Sequence, residues 1–63
     1  MIVLHKMNGD EIILNANHIE TIESKPDTTI TLVNDKKYLV KESKDEVLSL
    51  IYEYFHKVLT GKT

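Results

Sequence analysis

The sequence predicts an α+β fold: a small antiparallel five-stranded sheet, built as a hairpin over 1–15 and a meander over 19–42, with one C-terminal amphipathic helix over 44–59. Three observations carry this. Asn8-Gly9 separates two apolar runs, a strong hairpin signal. From Ile19 to Ser43 three strand-like stretches are punctuated by Lys25-Pro26-Asp27 and Asn34-Asp35. The tetrad Ser43-Lys44-Asp45-Glu46 has capping-box spacing and opens a stretch whose apolar residues recur at helical intervals.

Each element follows from its residues. In Met1–Lys6, Ile2 and Leu4 point one way, Val3 and His5 the other. Asn8-Gly9 suits a type I′ turn, and Asp10 can extend the loop to three residues. Glu11–Asn15 returns through Ile12-Ile13-Leu14, and Asn15-Ala16-Asn17 is a turn by composition. Ile19 and Ile22 are three apart, which breaks strict alternation. Either a single helical turn starting at Asn17 carries Ile19, or a bulge re-aims one side chain; the strand proper is placed at about Thr21–Ser24. Thr28–Val33 alternates and is rich in β-branched residues, and Lys37–Lys41 sets Tyr38 and Val40 opposite Leu39.

The helix presents Val47, Leu48, Ile51, Tyr54, Phe55, Val58 and Leu59 as one broad stripe, with Asp45 and Glu46 early, Lys57 late and Gly61 as C-cap. The sheet supplies its counterpart through Ile2, Leu4, Ile12, Leu14, Ile30, Leu32, Tyr38 and Val40. The opposite sheet face still carries Val3, Ile13, Val33 and Leu39, and Tyr52 stands off the helix stripe. Either the sheet curls strongly or this second face buries against another copy. A homo-oligomer is the expectation. Val3, Ile13, Val33, Leu39 and Tyr52 form the expected interaction surface.

Size and charge narrow the function classes. Sixty-three residues make a single domain, 1–63, of marginal stability. There is no cysteine, which excludes disulfides and thiolate metal sites. No apolar run approaches the ~20 residues a bilayer needs, and no signal-peptide pattern opens the chain. A cytoplasmic location without membrane insertion is expected. Net charge is −2 and the chain has no arginine, a poor composition for binding nucleic acid.

No constellation points to catalysis, a cofactor or a metal. His5, His18 and His56 are scattered without ligand spacing. The carboxylates Glu20, Glu23, Asp27 and Glu42 would need a cleft for acid–base work, which so small a sheet does not offer. Ser43 is explained as a cap. Lys36, Lys37 and Lys41 lie near Tyr38, but alternation sets Lys37 and Lys41 on one face with Leu39 and turns Tyr38 away from them toward the core.

The residues Met1-Ile2-Val3-Leu4, Asn8-Gly9, Leu14-Asn15, Ile19-Glu20-x-Ile22-Glu23, Pro26-Asp27-Thr28, Ile30-Thr31-Leu32, Lys37-Tyr38, Val40 and Glu42-Ser43 together resemble the FlbD/SwrD family of small bacterial flagellar and swarming-motility proteins. The likeness spans nearly the whole chain and is most specific from Pro26 to Ser43. His5-Lys6-Met7 departs from the family's more usual Thr-Arg-Leu, and Asp35 from its usual Gly. The resemblance implies a cytoplasmic, non-enzymatic protein that supports flagellar motor power, and through it swarming. So small a protein would act by binding a motor or stator component or its regulator. The opening Met-Ile-Val-Leu, with Gly-Asp-Glu-Ile after it, also resembles the start of small CsrA-type RNA-binding regulators; the rest of the chain does not follow that pattern.

Overall fold

Among the described residues, five strands and one helix occur in the order β1 (Ile2–His5), β2 (Glu11–Leu14), a 3₁₀ turn (Ala16–His18), β3 (Ile19–Ser24), β4 (Thr28–Leu32), β5 (Lys37–Val40) and α1 (Lys44–Thr60). The computed structural model describes residues 1–60, Thr60 by its backbone alone. The expected C-cap at Gly61 lies outside the described residues. The class is α+β, but the strands form two antiparallel sheets, β1-β2 and β3-β4-β5, rather than one five-stranded sheet.

Among the described residues, the two sheets share one core and are bridged strand to strand at one place. Lys6 bridges Val40, and the Lys41 amide donates to the His5 carbonyl at 2.8 Å. In a regular antiparallel pair the His5 amide would return a bond to a backbone carbonyl. It donates instead to Glu42 Oε1, at 2.9 Å. The curl is therefore real but incomplete, and no barrel closes.

Both tight hairpins share one design. In the first, the Lys6 amide donates to the Asp10 carbonyl, the Gly9 amide to the Lys6 carbonyl, and Gly9 has φ 95°. In the second, the Leu32 amide donates to the Lys36 carbonyl, the Asp35 amide to the Leu32 carbonyl, and Asp35 has φ 70°. Each is a three-residue loop whose last residue is left-handed; the first is Met7-Asn8-Gly9, so the extra residue is Met7 and not the expected Asp10, which pairs with Lys6, and the type I′ turn does not form. An asparagine side chain braces each: Asn8 Oδ1 accepts from the Asp10 amide and Asn34 Oδ1 from the Lys36 amide. The third connection, Lys25–Asp27, contains a cis Lys25–Pro26 bond.

At Ile19 both expected irregularities occur together. Asn15 caps the 3₁₀ turn by accepting from the Asn17 amide, and the β3–β4 register then shifts between Ile19 and Thr21. Strand pairing thus begins at Ile19, two residues before the expected start.

The core is Ile2, Leu4, Leu14, Ala16, Ile30, Leu32, Val40 and Val47. Ile12, Tyr38, Leu50, Ile51, Tyr54 and Phe55 pack partly buried around it. The capping box forms as expected: the Glu46 amide donates to Ser43 Oγ at 3.2 Å and the Ser43 amide to Glu46 Oε1 at 3.4 Å. The helix stripe is not all core, however. Only Val47 is fully buried, while Leu48, Val58 and Leu59 are exposed. The sheets are four to six residues long, and a 17-residue helix outruns them at 1.5 Å per residue.

Candidate functional site

The largest departures from an ordinary small-protein surface are apolar. Val3 and Ile13 are cross-strand partners on the outer face of the β1-β2 hairpin, 42% and 62% exposed, with no second layer over them. In a sheet with one face on the core, the other is normally polar. The outer face of β3-β4-β5 follows that rule more closely. Its central Thr31 is shielded between its neighbours Thr21 and Lys37, and Thr29 sits opposite Leu39.

Leu39 and Val33 are both exposed, but they do not touch the same neighbours. Leu39 pairs with Thr29, whereas Val33 stands in the β4–β5 loop four residues further along β4, about 13 Å away at strand rise. Tyr52 is on the helix, 71% exposed, with its ring stacked on His56 at a centroid distance of 6.1 Å. All five residues expected to form an interaction surface are thus exposed. The structure brings only Val3 and Ile13 together, and it leaves Tyr52 on a separate element.

Sequence reasoning missed a polar cluster. His5 Nδ1 lies 2.6 Å from Glu42 Oε2, and His5 Nε2 lies 4.0 Å from Glu11 Oε2. An ionised carboxylate only accepts, so Nδ1 carries the proton in this contact. Burial at the sheet junction pushes the Glu42 carboxyl up, but the side-chain and backbone hydrogen bonds from His5 outweigh it, so the group is held below its ordinary range. Glu20, Glu23 and Asp27 take no part. The cluster is a clasp between sheets. The signal for it was weak in sequence, because residues 5 and 42 meet only through the fold.

A polar depression of about 420 Å³ lies where the β3–β4 turn meets the helix start. Lys41 and Lys44 in its wall are balanced by Asp27 and Asp45, so it presents no net charge. Tyr38 is turned inward, half-buried, with Lys6 Nζ 5.9 Å from its ring centroid, and it does not share the exposed face of Lys37 and Lys41. Among the described residues, no group of three or more His, Asp or Glu is placed to hold a metal ion, and no helix is long and apolar enough to cross a membrane.

Comparison with known families gives one assignment. The family model described as flagellar and swarming motility proteins, FlbD, matches residues 1–59. The chain belongs to the FlbD family. No curated protein and no solved structure matches it. The match takes in every strand and all but the last described residue of α1, so the family assignment rests on the whole fold. It includes the Pro26–Ser43 segment on which the likeness was most specific. Of those residues, Pro26, Asp27, Thr28, Val40 and Ser43 line the polar depression, and Ile30 and Val40 are core. Glu42 is the clasp. In this FlbD-family chain the signature residues hold the fold, and the exposed apolar residues stand largely apart from them.

Proposed function

We propose that this FlbD-family protein supports flagellar motor power by binding another protein, without enzymatic activity. The partner is a motor or stator component or a regulator of one, and binding occurs in the cytoplasm. The observation that carries the reading is the exposed Val3–Ile13 pair on the outer face of the β1-β2 hairpin, with Leu39 exposed on the outer face of β5. Adjacent apolar residues on an uncovered sheet face are a contact surface in search of a cover. A face of this kind excludes water against a partner while the surrounding Glu11, Lys37 and Lys41 supply a polar rim.

The test replaces the wild-type copy in motile cells with Ile13→Glu or Leu39→Glu. Loss of swarming, lowered torque of tethered flagella and loss of a co-purified motor protein, at normal cellular level of the variant, is the expected result. Full swarming and unchanged partner recovery with both variants would overturn the choice of surface. Tight, salt-sensitive binding of cellular RNA by the wild type would overturn the protein-binding reading itself.

A further inference from the structure

The geometry points to an antiparallel homodimer formed through a second apolar seam on α1, made of Leu48, Tyr52, Phe55 and Leu59. These residues are spaced 4-3-4, the interval at which helical side chains line one narrow stripe and mesh with another helix. At 3.6 residues per turn, the stripe lies about 100° around the helix from the line Val47-Ile51-Tyr54 that packs on the sheets. The two stripes are distinct, and Phe55 alone of the four seam residues also packs partly buried against the core. A helix docked on the seam would leave each copy's core contacts untouched.

The exposures identify the seam as uncovered. Leu48 is 47% exposed, Tyr52 71% and Leu59 85%. Phe55 is half-buried and, with Leu48 and Ile51, forms one wall of a groove of about 540 Å³ whose other wall is Ala16 and Asn17 with Ile19, Glu20 and Ile22 of the edge strand β3. None of the four seam positions is charged, and the nearest flanking residues on the solvent side are Asp45, His56 and Ser49. Two copies can meet there without apposing like charges.

The occupant is a second copy because the seam is a palindrome. Read in either direction it runs leucine, aromatic, aromatic, leucine. Antiparallel pairing about its midpoint sets Leu48 against Leu59 of the other copy and Tyr52 against Phe55, a two-fold arrangement that fills both ends alike. It also opposes the two helix dipoles, whereas a parallel pair would align them. Large side chains present about 150–250 Å² each when fully exposed, so the seam and the adjoining Val58 leave on the order of 500 Å² per copy to bury. Ile19 and Ile22 on the groove wall carry this toward the ~800 Å² per partner of a standard interface. The expected dimer is thus reversible in the micromolar range. This inference concerns the helix, not the outer sheet face, and stands or falls independently of the motility reading.

The absence of cysteine makes the test direct. Sedimentation of the full chain from about 5 to 500 µM is expected to rise from 7.3 kDa toward twice that mass. Tyr52→Glu and Leu59→Glu, both at exposed positions, are expected to hold it at the monomer mass with the wild-type circular dichroism spectrum. A mixture of Leu48→Cys and Leu59→Cys chains under mild oxidation is expected to give the mixed disulfide at least fivefold over either symmetric one. A monomer at 500 µM would leave the seam to some other helix and overturn the proposal. So would a dimer that survives both glutamate variants, or a predominant symmetric Leu48→Cys disulfide, which marks parallel pairing.

Discussion

Removing the Glu42 carboxylate should destabilise this protein more than removing any other acidic group. Glu42 is mostly buried at the one point where the two sheets join, and it accepts twice from His5, from the backbone amide at 2.9 Å and from Nδ1 at 2.6 Å. A hydrogen bond to a charged group contributes about 1.5–3 kcal/mol net, and a buried donor left without an acceptor costs about 1–3 kcal/mol. The two bonds share one carboxylate and do not add fully, so Glu42→Ala should cost about 2–4 kcal/mol. A domain of 63 residues has about 3–9 kcal/mol in total. The loss is therefore a large part of the whole and should lower Tm by about 15–30 °C at roughly 8 °C per kcal/mol.

Glu42→Gln, which keeps an acceptor for the amide, should fall between wild type and Glu42→Ala. His5→Ala removes the ring bond alone and should cost about 1–2 kcal/mol. The assay is urea unfolding followed by circular dichroism, on the singles and the double in a cycle. A Glu42→Ala cost below about 0.5 kcal/mol, or additive singles, would refute the clasp. The pH dependence gives an independent sign. Because the folded carboxyl lies below its ordinary value of 4.5, its contribution is complete above that value and lost as pH falls through the lower folded one. The stability gap between wild type and Glu42→Gln should therefore narrow from pH 6 toward about pH 3. A gap that widens on acidification would contradict the assignment.

Three further outcomes follow from the fold. Leu4→Ala empties a fully buried position and should cost about 2–5 kcal/mol, enough to unfold much of the population at 37 °C; thermal melts read it. Asp35→Gly relieves a left-handed residue worth about 1 kcal/mol of strain, partly offset by unfolded-state entropy, so Tm should rise by a few degrees, whereas Gly9→Ala, at φ 95°, should lower it. Ser43→Ala removes the acceptor for the Glu46 amide and should cost about 1 kcal/mol in urea unfolding.

Local chemistry was legible in the chain. The capping box and the turns at Asn8-Gly9 and Asn34-Asp35 depend on residues within a few positions of each other, and each occurs at its expected place; the strand expected over Thr28–Val33 ends at Leu32, and its burial does not alternate, since Thr31 is buried with Ile30 and Leu32. The helix stripe was legible in period but not in extent. Periodicity marks which side chains share a face; it does not measure how far the opposing sheet reaches. Leu48, Val58 and Leu59 therefore read as core although the short strands never cover them. Loop choice at Asn8-Gly9 was open for a similar reason. The same dipeptide serves two turn types, and the strand register selected by Leu4 opposite Ile12 decides between them.

The sequence by itself determined the class, the order of elements, the capping box at Ser43 and the family, because each rests on short-range propensity or on a pattern spread along the whole chain. Only the tertiary structure decided that the strands divide into two sheets, that His5 and Glu42 clasp them, and that Leu48, Tyr52 and Leu59 stay exposed on the helix. Those are consequences of residues 37 positions apart in the chain arriving at one place, and of a helix longer than the sheets beneath it. Neither a contact at that separation nor a mismatch of lengths has a local signature, since both arise only when the elements are packed against each other.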